Sequence, residues 1–207
     1  MDYDLQLVTA PTIEPITLAD ARRQVRLFEG EAAFDEELKV LISTARQWAE
    51  DATARCFIEQ TWDLLFPRGF PSTSMHAVIS SDEIRIPRAP LKAAAGITHL
   101  KYLDTDGAQQ TLLATKYDVV SRGGRAVLVP VYGTSWPSTR DWPTGGNYPL
   151  EVRFIAGYGA APSLVPARYR HAMLLHLEAG FDRDPDHKEL LMERAEGLLF
   201  QDRFIPR

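Results

Sequence analysis

The spacing of apolar residues changes twice along this chain, and each change limits what the adjoining segment can become. Between residues 38 and 52, Leu38, Leu41, Ile42, Ala45, Trp48, Ala49 and Ala52 follow the three-four spacing of a helix with one buried stripe. Past Gln60 the spacing drops to two, with Trp62, Leu64 and Phe66 alternating with Thr61, Asp63 and Leu65, as in a strand. Beyond Pro166 the helical spacing returns in Tyr169, Ala172, Met173 and His176, and again in Leu190, Leu191, Ala195, Leu198 and Leu199. Helices, then strands, then helices is the order of an α+β fold. The expected architecture is an N-terminal antiparallel helix pair, a central and mostly antiparallel β-sheet with hairpins, and C-terminal helices. The parts are 1–58, 59–160 with a projecting loop at 132–149, and 161–207, together one compact subunit.

Capping and turn residues place the boundaries. Thr17 is an N-cap with Asp20 three residues on, which starts a first helix bearing Leu18, Ala21, Val25 and Phe28 on one face and ending at Gly30. The second helix starts near Phe34 or Asp35, with Asp35, Glu36 and Glu37 in its first turn, and runs to Cys56. Strands are expected around Ile84 and Ile86, from Ile97 to Leu103 up to the Asp106-Gly107 turn, from Thr111 to Val120, from Ala126 to Val131, and from Leu150 until Gly157 and Gly159. Residues 97–131 read as one meander of hairpins. Asp184-Pro185, an N-cap followed by a first-turn proline, opens the last helix.

At 207 residues the chain makes one generous domain or two small ones, and 45% hydrophobic with 25% charged residues is ordinary for a globular protein. The net charge is -5 and the 23 Lys and Arg are scattered, so no basic stripe supports tight nucleic-acid binding. The single cysteine, Cys56, excludes an internal disulfide and fits synthesis in a reducing cytoplasm; at the end of an apolar helix face it reads as a buried structural thiol. The opening MDYDLQLVTAP lacks the basic and apolar regions of a signal peptide, and no run approaches a membrane span.

Chemistry-bearing constellations are sparse. The five histidines include no H-E-x-x-H, and His171 and His176 diverge on a helix. DTDG at 104–107 is a hairpin turn lacking the later ligands of a calcium loop. There is no G-x-S-x-G, no phosphate-cradling glycine loop and no carboxylate pair singled out by spacing. The expectation is therefore no catalytic residue, metal or cofactor. Arg22, Arg23 and Arg26 form either a solvated helix face or a cluster facing DNA or an acidic partner.

The least ordinary stretch is WPSTRDWPTGGNYP, residues 136–149, where Trp136-Pro137, Trp142-Pro143 and Tyr148-Pro149 recur at a spacing of six. Proline fixes φ, so each pair is a stiff apolar knob. Trp136, Arg140, Trp142 and Tyr148 are candidates for contact with a neighbouring subunit or a tail component. Two other readings stand: Trp136 and Tyr148 fold back and leave only the Trp142 tip free, or the rings form a glycan platform.

The ordered set of landmarks resembles the head–tail connector family, the head-completion or adaptor proteins of tailed bacteriophages and gene transfer agents. The matching stretches are Pro15 to Leu27, Ala45 to Arg55, T-W-D-L near Trp62, Ile84 to Leu91, Leu100 to Gly107, Y-D-V at 117–119, W-P at 136, and Val152 to Gly159 leading to Val165-Pro166. The second and third aromatic–proline pairs depart from the family pattern, and the match after Asp184 is loose. The resemblance implies a virion protein of the neck, an adaptor forming a dodecameric ring below the portal, extending the DNA channel and docking the next neck or tail-completion component. It implies as partners the chain itself, the portal protein, that next component and passing DNA without specific binding, and no membrane. It further implies portal contact by the C-terminal tail, Arg203, Phe204, Ile205, Pro206 and Arg207. The alternatives are a tail-terminator or stopper ring subunit, a hydrolytic enzyme and a glycan-binding module.

Overall fold

The computed structural model describes residues 3–28, 31–71, 82–93, 95–122, 124–142 and 146–202. In chain order the elements are β1 (Asp4–Thr9), α1 (Leu18–Gln24), α2 (Asp35–Thr53), β2 (Gln60–Phe66), β3 (Ile84–Arg85), β4 (Ile97–Leu103), β5 (Gln109–Thr111), β6 (Tyr117–Arg122), β7 (Arg125–Pro130), β8 (Leu150–Ala156), α3 (Ala167–Phe181) and α4 (Pro185–Leu199). The α+β class is as expected. Two compact units result: Met1–Ala10 with Gln60–Ala156, and Pro11–Glu59 with Gly157–Arg207. The helical unit is thus drawn from two separate stretches of chain, and the first strand belongs to the sheet unit.

In the sheet unit, β1-β2-β8-β4-β5 form a five-stranded antiparallel sheet, and β3-β7-β6 a three-stranded one. β8 is central because its alternation is strict: Leu150, Val152, Phe154 and Ala156 are fully buried, while Glu151, Arg153 and Ile155 face the other side half-buried. Leu64 and Leu100 stand on either side of Val152 in register. The expected single strand from Thr111 to Val120 is two strands in different sheets. β5 stops at Thr111, a 3-10 turn covers Ala114–Lys116, and Tyr117 starts β6. Leu112 to Lys116 have no alternation to sustain a ladder: Leu113, apolar, is exposed. The 97–131 meander is therefore divided between the sheets. The Asp104 turn closes as a hairpin, its Oδ1 accepting from the backbone N–H of Asp106 at 3.1 Å and Ala108 at 2.9 Å.

In the helical unit, Thr17 Oγ1 accepts from the Asp20 N–H and Asp20 Oδ2 from the Thr17 N–H, both at 3.1 Å, a reciprocal capping box. The Thr17 hydroxyl also donates to Asp20 Oδ2 at 2.7 Å, and this bond first, then that of the Thr17 N–H, holds the Asp20 carboxyl below its usual range. Leu38, Ile42, Ala45 and Ala49 of α2 are buried with Ala172, Met173 and Leu177 of α3 and Leu199 of α4. Two helix ends differ from expectation. α1 stops at Gln24 and Phe28 is exposed; α2 stops at Thr53, short of Cys56. Each ends in a left-handed residue that is not glycine, Arg26 at φ 58° and Ala54 at φ 49°, and the next N–H returns to a carbonyl five residues back: Leu27 to Arg22 at 3.0 Å, Arg55 to Glu50 at 3.2 Å. Cys56 is buried, as expected. Among the described residues no helix is long and apolar enough to cross a membrane.

Candidate functional site

The aromatic–proline loop is fastened along much of its length by backbone and ring contacts. Trp136 stacks on Phe70 with ring centroids 4.9 Å apart and planes at 12°, and its Nε1–H donates to the Asp82 carbonyl at 2.6 Å. Thr139 occupies the space that a side chain at Gly69 would fill, and Gly69 itself has φ 71°, so this crossing requires glycine. The Arg140 N–H donates to the Leu103 carbonyl at 3.2 Å, and its guanidinium lies over Gly107 of the β4–β5 turn. At the far end the Leu103 N–H donates to the Pro149 carbonyl at 3.0 Å, and the Tyr148 hydroxyl donates to Asp4 Oδ2 at 2.7 Å. That carboxylate pushes the Tyr148 phenol up. Trp142 is 77% exposed, and Tyr132 at the loop's entry is fully exposed. Pro143 lies outside the described residues.

The three N-terminal arginines differ in partner and exposure. Arg22 grips Asp35, at the start of α2, through Nε at 2.9 Å and Nη2 at 2.6 Å, tying α1 to α2. Arg23 pairs with Asp20 within α1, and Arg26, at the left-handed position, is exposed. The tail candidates Arg203, Phe204, Ile205, Pro206 and Arg207 lie outside the described residues. The root of that tail is held: Asp202 takes Arg55 Nη2 at 3.2 Å, the Tyr169 hydroxyl at 2.8 Å, and the Arg168 guanidinium. Burial first, then the hydrogen bonds of this cluster, push the Tyr169 phenol well above its ordinary value.

One grouping has no signal in the sequence beyond strand alternation. Asp63 of β2, His99 of β4 and Glu151 of β8 point to one face of the five-stranded sheet, with one ligand atom from each within 4.8 Å of the others. These are metal-binding residue types. Asp63, however, is already occupied: Arg153 donates Nε and Nη2 to its two oxygens at 2.7 Å each, and a cation there would sit against the guanidinium. His99 Nε2 lies 2.6 Å from Glu151 Oε1. The grouping is the Asp63–Arg153 ion pair beside the His99–Glu151 hydrogen bond, a polar network across three strands. A cavity of about 50 Å³, lined by Trp48, Ala52, Glu196 and Leu199, is far smaller than the ~300–1,000 Å³ of a ligand pocket. Among the described residues the geometry thus offers surfaces and fastened edges.

No family model matches the sequence, and no curated protein is found as a relative. Solved structures with the same fold do exist. A chain in the neck of an empty GTA particle computed with C6 symmetry superposes with a TM-score of 0.68 at 23% identity, covering 99% of this chain and 97% of that one. A chain in the virion of a native gene transfer agent particle gives 0.67 at 22%, covering 98% and 96%. One in the neck of a native GTA particle computed with C12 symmetry gives 0.61 at 23%, covering 99% and 97%. At this identity the likeness shows a common fold over nearly the whole of each chain.

Proposed function

We propose that this chain is a structural protein of a virion neck, a member of the head–tail connector group, which acts as an adaptor. Copies form a ring, of twelve, below the portal; the ring extends the DNA channel and receives the next neck or tail component. The observation that carries this is the shared fold over 97% or more of both chains with chains from two solved particle necks. Necks computed with C6 and C12 symmetry favour ring assembly. The net charge of -5 suits a channel wall along which DNA slides without being held. On this reading the work is done by fitting surfaces, with no bond made or broken. Trp142 is the contact residue of its loop, with Arg140, Trp136 and Tyr148 fixing its position, and residues 203–207 reach the portal from the root at Asp202.

The test is to mix the purified chain with portal-bearing, DNA-filled heads and image the vertex. A ring of density against the portal is expected; no density at the vertex refutes the reading. A ring out of contact with the portal reassigns the chain to a stopper or terminator position. Trp142→Ala is expected to leave the monomer's melting curve unchanged and to lower occupancy of the vertex, whereas Trp136→Ala lowers the melting temperature itself.

A further inference from the structure

We propose that neighbouring copies of this chain join edge to edge, β1 of one copy adding as an antiparallel strand to β6 of the next. The inference rests on the ring reading and specifies how neighbours meet. β1 and β6 are outer strands of the two sheets, and among the described residues no strand pairs with the free side of either. Such an edge presents a row of backbone donors and acceptors to any chain that can lie along it. Folded monomers blunt their edges with lysine, proline or shortness. The other edges are short: β5 has three residues, all polar and exposed, and β3 has two. β1 and β6 have six residues each, DLQLVT and YDVVSR, with neither lysine nor proline. Both also expose aliphatic side chains: Leu7 is 47% and Val119 48% exposed.

Charge decides which edges pair. With Leu7 opposite Val119 in antiparallel register, Gln6 meets Val120, Leu5 meets Ser121, and Asp4 meets Arg122, a carboxylate facing a guanidinium. At full six-residue overlap, β1 paired antiparallel with a second β1 sets Asp4 opposite Thr9, and β6 with a second β6 sets Arg122 opposite Tyr117, so in that register the mixed pair alone brings opposite charges together; a β6 pair does so, through Asp118 and Arg122, only when slipped by one residue. The bulge between Leu7 and Thr9 ends the regular stretch of β1 after four positions. Both charged ends are fixed within their own copy, Asp4 by the Tyr148 hydroxyl at 2.7 Å and Arg122 by Glu83. A mixed contact is heterologous: each copy uses β1 toward one neighbour and β6 toward the other, so the arrangement continues until it closes by rotation.

The experiment is the double variant Leu7→Cys with Val119→Cys, oxidised mildly and run on a non-reducing gel, both alone and on portal-bearing, DNA-filled heads whose vertices are imaged in parallel. Opposed antiparallel residues have Cα atoms about 4.5–5.5 Å apart, within reach of a disulfide. Cys56 is buried, which keeps background cross-linking low. A ladder of covalent multimers is expected from the double variant and monomer from each single variant. As a second readout, Asp4→Arg or Arg122→Asp alone lowers ring occupancy at least threefold and the two together restore it. Covalent dimers from either single variant overturn the proposal in favour of a two-fold contact. A ring imaged with neither ladder nor charge rescue overturns edge pairing and leaves the ring reading standing. The absence of any ring removes both.

Discussion

Replacing Glu50 by alanine is expected to cost the helical unit about 3–5 kcal/mol. Its side chain, on α2, is 8% exposed and uses both oxygens: Oε2 accepts from Arg46 Nη1 at 2.9 Å, and Oε1 accepts from the Phe57 N–H at 2.8 Å. Arg46 is itself 11% exposed and, among the described residues, keeps Glu14, bonded to its Nε at 2.8 Å, when Glu50 is removed. Desolvation of Arg46 is offset by its two carboxylates, whose combined effect holds its pKa above the ordinary value. Removing one leaves buried charge undercompensated, and the orphaned N–H of a fully buried Phe57 adds a share of the ~1–3 kcal/mol that an unmet buried donor costs. The two penalties overlap and are not summed. Against a total stability of about 5–15 kcal/mol the loss is large. The described α-helices all lie in this unit, so ellipticity at 222 nm during urea unfolding reports it. With a slope of about 1–3 kcal/mol per molar urea, the midpoint falls by roughly 2 M. Glu50→Gln keeps an oxygen for Phe57 and falls by about half as much. A midpoint shift under ~0.5 M for the alanine variant, at unchanged slope, refutes the account of a buried network.

Burial, and after it the charge of Lys188, holds the His176 imidazole below its ordinary 6.5. The folded state therefore binds that proton less readily than the unfolded chain, and stability present above pH ~6.5 is lost as pH falls below it; His176→Phe should flatten the melting temperature between pH 7 and 5, and equal slopes for both proteins would sink the assignment. Gly157 has φ 145°, and a Cβ there would stand 2.6 Å from the Glu59 backbone nitrogen, so Gly157→Ala should destabilise by about 2–4 kcal/mol, read as loss of soluble folded protein or a lowered urea midpoint. Asp202→Asn weakens partly exposed pairs with Arg55 and Arg168, costs only ~1 kcal/mol, and should speed amide exchange at Phe200–Asp202 while the main transition barely moves.

Much of the fold was legible because period and cap coincide. The Thr17–Asp20 box, the Asp184-Pro185 start and the strict alternation of β8 each carry their own local cause, and each stands where the sequence puts it. The ends of α1 and α2 were not legible, because the expected signal was a glycine and the chain uses Arg26 and Ala54 in the left-handed position instead. Leaving the helix there lets apolar residues just downstream reach the core: Leu27 packs on it beside α1, and Phe57 and Ile58 are buried in it just beyond α2. The break at Leu112–Lys116 was hidden for a similar reason, since only pairing partners distant in sequence decide that β5 and β6 belong to different sheets. The Asp63–His99–Glu151–Arg153 network depends on the register of three strands drawn from positions 60 to 156 and could not be seen in any one of them.

The aromatic–proline loop joins the sequence reading to the proposed role through entropy. Irregular loops usually lose freedom when they dock, at about 0.5–1.5 kcal/mol for each ordered side chain. Here the ordering is done in the folded monomer: the Arg140 N–H on the Leu103 carbonyl, the Leu103 N–H on the Pro149 carbonyl, Trp136 on Phe70 and the Tyr148 hydroxyl on Asp4 fix the loop at both ends. Two of its three large rings are thereby used as internal fastenings, which leaves Trp142 exposed between them. A ring held this way meets a partner with its position already set, so more of its ~200 Å² of buried surface appears as affinity. Tyr148 also steadies the first residue of β1, the strand proposed to meet the next copy. Replacing Tyr148 by Phe removes one hydrogen bond and no apolar surface, so it should barely shift the melting temperature while lowering ring occupancy at the vertex. An equal loss of both would mean that the loop serves only the subunit's own fold.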